Sequence, residues 1–343
     1  MWRSLRRWLA GFFSTARRIV LRITGRSAGR WVEGSYALPH NRLLFFLPQP
    51  KRNYHLYVPG RYAATKAWPL VVMLHGCKQD AAVFSSGTRM NRLADQEGFL
   101  VLYPEQRRLA NSYRCWNWFE SSAQHAQGEA ALIAGMVREV TQAYAIDPGR
   151  VYVAGLSAGG AMTSILASCY GELFAACAVH SGLMYGAAES VSEASRAMKN
   201  GSRASPQEAA RKAVAQKEFA FVPALVIHGS TDATVHPVNA QQVAEQFIAM
   251  ASFAGGGHTE LSESSSRESG GGRYRYEIRE YRRGATLLLR KVLVEGLDHA
   301  WSGGSPEYPF NDPKGPDASR MIWDFFAEFK RRALADSSGA GVD

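Results

Sequence analysis

Val151-Tyr152-Val153-Ala154-Gly155-Leu156-Ser157-Ala158-Gly159-Gly160 decides how this 343-residue chain is read. A short apolar run, enough for a buried strand, passes straight into Gly-x-Ser-x-Gly, and a helix-compatible segment from Ala161 to Tyr170 follows. Strand, sharp turn and helix is the setting in which a serine hydroxyl is lifted clear of a sheet edge as a nucleophile. Such a turn strains the backbone at Ser157. It also needs residues as small as Gly155, Gly159 and Gly160 where neighbouring segments close on it. The pattern alone also fits an ordinary Gly/Ser turn, and the rest of the sequence has to exclude that.

Outward from the turn, strand-like and helix-like segments alternate. Residues 42–58 read as two opening antiparallel strands bounded by prolines. Pro69 to Gly76 and Phe99 to Pro104 are continuous apolar runs, as expected of strands buried on both faces. Between them, 81–97 has helical spacing. Gly128 to Tyr144 is a second helix with Leu132, Ile133, Met136, Val137, Val140 and Tyr144 on one side. Strands at Ala175–Val179, Ala224–His228 and Thr286–Glu295 follow, and a helix begins near Pro316 with Ile322, Phe325, Phe326 and Phe329 inward. This order predicts an α/β fold, a mostly parallel sheet with helices on both faces, in one catalytic domain over residues 36–335. Within it, 185–218 reads as a cap-like insertion and the Gly/Ser-rich 254–273 as a flexible loop.

Composition supports a globular chain, 46% hydrophobic and 20% charged. The net charge of +10 is concentrated at one end: residues 1–30 hold eight arginines and no acid, leaving 40 − 8 = 32 basic against 30 acidic residues elsewhere. A near-neutral body argues against nucleic acid as a partner. Trp2, Leu5, Trp8, Leu9, Phe12, Phe13, Ala16, Ile19, Val20 and Ile23 recur at helical steps, with arginines mostly on the other face. Residues 1–26 therefore read as a basic amphipathic helix whose residues 2–24 suit a granule or anionic membrane surface. An atypical signal peptide is the alternative. The first reading places the protein inside the cell at such a surface, the second outside it.

A nucleophilic Ser157 needs a base to take its proton and an acid to orient that base. In α/β-hydrolases these follow in the order serine, acid, histidine. Between Ser157 and the late histidine there are two aspartates. Asp298 adjoins His299 and is poorly placed to orient it, whereas Asp232 follows the buried strand 224–228 at its carboxyl end, where open α/β sheets hold ligands. Of the later histidines, His236 is four residues past that acid and His258 sits in the Gly/Ser-rich segment. His299 lies in a glycine-framed loop just after a strand. The expected triad is Ser157, Asp232 and His299. The backbone N–H groups of Ala158 and Cys77 are the expected oxyanion donors. No cofactor is expected, and no cysteine–histidine spacing suits a metal.

Four motifs, His75-Gly-Cys-x-Gln79, Cys115-Trp-Asn-Trp-Phe119, Gly155-Leu-Ser-Ala-Gly-Gly160 and His299-Ala-Trp-Ser-Gly-Gly304, together resemble the polyhydroxybutyrate (PHB) depolymerase family of esterases. That family is similar in turn to feruloyl and acetylxylan esterases. The resemblance implies an α/β-hydrolase fold, hydrolysis of short-chain polyhydroxyalkanoate esters through an acyl-serine, and the same three residues as nucleophile, acid and base. Trp116, Trp118 and Trp301 are expected to line an acyl groove, with Gln79 among the substrate contacts. Core packing is the competing role for these tryptophans. The four cysteines, Cys77, Cys115, Cys169 and Cys177, allow two pairs in an oxidising compartment. A Cys77–Cys115 bond would tether the two loops that carry them, but connectivity is not legible in sequence.

Three functions compete. The first is a serine esterase on polyhydroxybutyrate or its oligomers. The second keeps the triad and changes the ester to a feruloyl or acetyl group on plant polysaccharide. The third is a catalytically inactive, hydrolase-shaped granule-binding protein, which would carry a damaged triad.

Overall fold

The computed structural model describes residues 29–39, 49–216, 219–254, 261–269 and 273–331. The amphipathic segment 1–26 and the stretch 42–48 lie outside them. Ten strands form one sheet among the described residues: β1 (Arg30–Ala37), β2 (Lys51–Val58), β3 (Trp68–Leu74), β4 (Leu100–Glu105), β5 (Ile146–Leu156), β6 (Ala176–His180), β7 (Ala224–Gly229), β8 (Leu261–Glu268), β9 (Tyr276–Arg283) and β10 (Thr286–Val294). Their spatial order is β1-β2-β4-β3-β5-β6-β7-β10-β9-β8. The central run from β4 to β10 is parallel, and antiparallel pairs extend it at both ends.

Helices cover the parallel centre on both faces, because alternate residues of a buried strand point to opposite sides. Leu70, Val72 and Leu74 of β3 join a core with Ile133 of α4 (Gly128–Ala143), Ile165 of α5 (Ala158–Cys169) and Phe247 of α8 (Val238–Ala254). Val71 and Met73 join a second core with Phe84 of α1 (Ala81–Thr88), Leu93 of α2 (Met90–Glu97) and Phe325 of α9 (Ala318–Ala327). The short α3 (Ser121–Gln124) precedes α4. Residues 185–216 carry two helices, α6 (Val191–Asn200) and α7 (Pro206–Val214), which bury Ala194, Ala197, Ala209, Ala210 and Ala213 in the first core beside α8.

Several expectations need correction. The partner of β2 at the edge is Arg30–Ala37, so the sheet begins six residues before position 36. The helix expected over 81–97 is two helices, broken where Arg89 takes φ 57° and ends α1 in a left-handed turn. The segment 254–273 is not simply a loop: Leu261–Glu268 is the outermost strand, paired along its whole length with β9. All of β8 after Leu261 is exposed, so no buried face imprints a period of two on its sequence. Its register comes from the β9 ladder and from flanking pairs such as Arg279–Glu263 at 3.5 Å. Strand β9 has no counterpart among the strands expected from the sequence.

Register brings the loops that carry Ser157, Asp232 and His299 together. Leu156 pairs with His180, His180 with Ile227, and Gly229 with Val294. The chain therefore leaves β5, β6, β7 and β10 along one carboxyl edge, on neighbouring strands about 4.8 Å apart.

Candidate active site

Ser157 sits between β5 and α5 with φ 59° and ψ −119°, a left-handed conformation that costs a non-glycine residue about 1–3 kcal/mol. The surroundings hold it there. Its N–H donates to the His180 carbonyl at 2.9 Å, and its carbonyl accepts from Ala161 N at 2.9 Å, starting α5. A Cβ added at Gly155 would lie 2.3 Å from the Gly159 carbonyl carbon, so helix and strand cross with no room for a side chain.

The loops that carry Asp232 and His299 are stitched into one unit. Thr231 donates both its N–H (3.2 Å) and its hydroxyl (2.9 Å) to the Leu297 carbonyl. Ala233 N–H donates to Asp298 Oδ1 at 3.2 Å, which gives Asp298 a loop-bracing task. Across this junction His299 Nδ1 meets Asp232 Oδ2 at 2.7 Å. Asp232 Oδ1 accepts from the N–H groups of Thr234 (2.9 Å) and Val235 (2.8 Å), which fixes the carboxylate plane. Asp232 Oδ2 also has a second imidazole 3.4 Å away, His228 Nε2, which in addition bonds the Val235 carbonyl at 2.7 Å. A carbonyl only accepts, so His228 Nε2 carries a proton and can share it with the carboxylate. His236 stands apart, accepting the Val238 N–H before α8. His258 lies outside the described residues. Among the described residues Ser157 Oγ makes no hydrogen bond to His299. Such contacts are commonly long in a free enzyme and tighten with substrate.

Burial pushes the Asp232 carboxyl upward, but the hydrogen bonds from His228 and His299 outweigh it and hold the group well below the usual carboxylate range. With the folded value below the unfolded one of about 3.9, Asp232 stabilises the fold fully above about pH 4. That contribution disappears as pH falls through the depressed native value. Thermal melting of Asp232→Asn should therefore show a flatter loss of stability below about pH 4 than the parent. Parallel curves would remove this role from Asp232.

Beside the serine, the loop after β3 brings its backbone close. A Cβ built on Gly76 would lie 3.5 Å from Ser157 Cβ and 3.4 Å from the Leu156 carbonyl. Among the described residues no acceptor takes the N–H of Cys77 or of Ala158. Gln79 is buried. Its Oε1 accepts the Gly76 N–H at 2.9 Å and its Nε2 reaches the Pro309 carbonyl at 3.4 Å, so it braces this loop and is not free to meet substrate. The tryptophans are corrected as well. Trp116 and Trp118 lie in one core and Trp301 in the other, all three buried. Their large apolar area is best removed from water in the core, and Trp301 finds Ser319 Oγ for its N–H at 3.2 Å.

Cys77 and Cys115 are disulfide-bonded, tying the loop after β3 to the tryptophan segment, while Cys169 and Cys177 are buried thiols. Burial pushes Cys169 up to about 12. Closing a loop across a separation of 38 residues is worth about 2–4 kcal/mol in a disulfide. Urea unfolding of a Cys77→Ser/Cys115→Ser protein should show a loss of that size, and an unchanged midpoint would contradict it.

Sequence reasoning missed the polar hub under this loop. Buried Glu129 accepts from Arg52 Nη2 (2.9 Å) and Asn117 N–H (2.8 Å). Gln106 links the hub to the Cys115 carbonyl (3.0 Å) and, through its N–H, to His75 Nε2 (3.1 Å). His75 Nδ1 faces the Gly76 carbonyl at 2.8 Å, so its proton sits on Nδ1, and burial lowers its basicity. The one sequence signal for His228 was its place at the end of a buried strand, four residues before Asp232.

Comparison with known proteins agrees with this architecture. The family model described as esterase PHB depolymerase matches residues 52–268. Poly(3-hydroxyalkanoate) depolymerase C of Paucimonas lemoignei is 39% identical over 183 residues, covering 52% of this chain and 44% of that protein. Feruloyl esterase B of Neurospora crassa is 39% identical over 133 residues, covering 38% and 44%. The matched stretch is thus less than half of either relative. An acetyl xylan esterase from Aspergillus awamori superposes with a TM-score of 0.64 at 23% identity over 80% of this chain and 94% of that one, which establishes the shared α/β-hydrolase fold. With the family model matching well over half of its residues, this chain belongs to the esterase PHB depolymerase family.

Proposed function

We propose that the protein is a serine esterase that hydrolyses short-chain poly(3-hydroxyalkanoate), or its oligomers, through an acyl-serine intermediate. The observation that carries this reading is the 2.7 Å hydrogen bond between His299 Nδ1 and Asp232 Oδ2, on the sheet edge that also presents Ser157 in its strained turn. Ser157 Oγ attacks the ester carbonyl while His299 Nε2 takes its proton. The Asp232 carboxylate stabilises the imidazolium that forms. The N–H groups of Ala158 and Cys77 receive the oxyanion. Collapse of the tetrahedral species expels the alcohol, which takes its proton from His299. Water, deprotonated by the same imidazole, then releases the acid and restores the serine.

A relative that is a poly(3-hydroxyalkanoate) depolymerase supports this substrate class. Feruloyl and acetylxylan esterases among the relatives favour a second reading in which the same triad cleaves esters of plant polysaccharide. Turnover of 3-hydroxybutyrate oligomers against methyl ferulate and acetylated xylan separates the two, and a preference for either of the latter overturns the first. Residues 2–24 are proposed to hold the enzyme at a granule or anionic membrane surface. Removal of 1–26 should weaken binding to anionic vesicles and to polyhydroxybutyrate granules while p-nitrophenyl butyrate turnover persists.

A further inference from the structure

We infer that His180 is a positioning residue for the proposed reaction, joining the nucleophile turn to the loop that carries His299. The inference rests on the serine-esterase reading above and adds to it a residue outside the triad. His180 closes β6, the strand that separates β5, which leads to the serine, from β7, which leads to the acid. Its two ends serve different partners. The backbone carbonyl accepts the Ser157 N–H at 2.9 Å. The ring, fully buried, accepts the Ser302 N–H on Nε2 at 3.2 Å, 122 residues away in sequence. It also stacks on the Trp301 indole, with centroids 5.0 Å apart and planes 19° from parallel.

The protonation state follows from the partners. A backbone N–H can only donate, so Nε2 is bare and the proton sits on Nδ1, 3.2 Å from Ser181 Oγ. Burial pushes the imidazole down to about 3, which keeps the ring neutral and Nε2 available as an acceptor.

Trp301 and Ser302 are two and three residues beyond His299. The near side of the His299 loop is fixed to the acid loop, through the bonds from Thr231 to the Leu297 carbonyl. Its far side is fixed to His180, and further by Trp301 N–H to the Phe310 carbonyl (2.8 Å) and Ser302 Oγ to the Pro316 carbonyl (2.7 Å). His299 is therefore suspended between two anchors, and one of them is the residue whose main chain also holds the nucleophile. Removing the ring acceptor would leave the buried Ser302 N–H unpaired and loosen the far side of the loop, which the Phe310 and Pro316 carbonyls would still hold in part. A misplacement of about 1 Å costs about 10²-fold in a positioned reaction.

Three substitutions separate positioning from bulk stability. His180→Phe keeps a flat ring against Trp301 without an acceptor. His180→Gln places an amide oxygen at the reach of Nε2, whereas His180→Asn stops near Nδ1. Each is measured for kcat and KM on p-nitrophenyl butyrate, for the rate at which a fluorophosphonate labels Ser157, and for melting temperature. The expected result is a fall in kcat and in labelling rate of about 30–100-fold for H180F, with KM within about twofold. H180Q should recover to within about tenfold of the parent while H180N does not. An H180F protein that melts earlier but retains parental kcat per labelled site would overturn the inference. If H180F does not fold, equal kcat for H180Q and H180N overturns it instead. A parent that labels at Ser157 but hydrolyses no ester would remove the functional reading alone, because labelling rates still rank the variants. Loss of both turnover and labelling in the parent would sink the two together.

Discussion

Ser157→Ala should leave the protein folded and lower hydrolysis of p-nitrophenyl butyrate by at least about 10⁴-fold. The hydroxyl is the only part of the residue that the alanine lacks. The turn is held by main-chain bonds from Ser157 N to His180 O and from Ala161 N to Ser157 O, which alanine keeps. Stability should therefore stay close to the parent. Residues that act as one unit do not contribute additively. His299→Ala should cause a comparable loss, and the double variant should be hardly worse than either single one. Steady-state kinetics checks both statements. Parental turnover in Ser157→Ala would end the serine-esterase reading, and multiplicative losses in the double variant would show that Ser157 and His299 do not work together.

Gly159→Ala should be among the most damaging single-methyl additions in the molecule. The new Cβ would lie 2.1 Å from the Leu74 carbonyl oxygen, 2.6 Å from its carbon and 2.7 Å from the His75 carbonyl oxygen. All three are main-chain atoms at the end of β3, and none can swing aside. Helix α5 would have to move away from the strand, which separates Ala158 N from the Cys77 loop as well as loosening the core. Overpacking typically costs about 1–3 kcal/mol and more where nothing yields, so a loss above about 3 kcal/mol and a large fall in kcat are expected. Gly284→Ala provides the contrast. Nothing lies within 4 Å of a Cβ there, and only its φ of 57° resists a side chain, at a cost of about 1–2 kcal/mol. Urea unfolding of the two proteins would settle the comparison, and a Gly159→Ala variant as stable as Gly284→Ala would refute the close-packing argument.

A feature is legible in the sequence to the extent that the interactions responsible for it are local. The turn around Ser157 is marked in ten consecutive residues by the glycines its close crossing requires, while the bond to the His180 carbonyl holds the strained conformation. The apolar strands β3, β4, β6 and β7 are legible for a related reason. A strand covered on both faces has to be apolar at nearly every position. Strand β8 offered no such mark: Ser262, Ser264, Ser265 and Ser266 face water on both sides, and β9 alone gives them an extended register. Trp116, Trp118 and Trp301 were read toward the substrate since an aromatic suits either a groove or a core. Only packing around them decides which.

By itself the sequence determined the alternation of strands and helices through the parallel centre of the sheet, and three residues of the chemical types and order that acyl transfer requires. The tertiary structure decided what those residues touch. It placed His299 Nδ1 against Asp232 Oδ2 across 67 positions, supplied His228 as a second imidazole on the same carboxylate, and used His180 to join loops 122 positions apart. It also turned Gln79 from a substrate contact into a brace for the Gly76 backbone. The physical reason is that a hydrogen bond within 3 Å depends on strand order and register, which bring distant residues to one edge. Residue type, local spacing and hydrophobic period carry no record of which distant partner will be there.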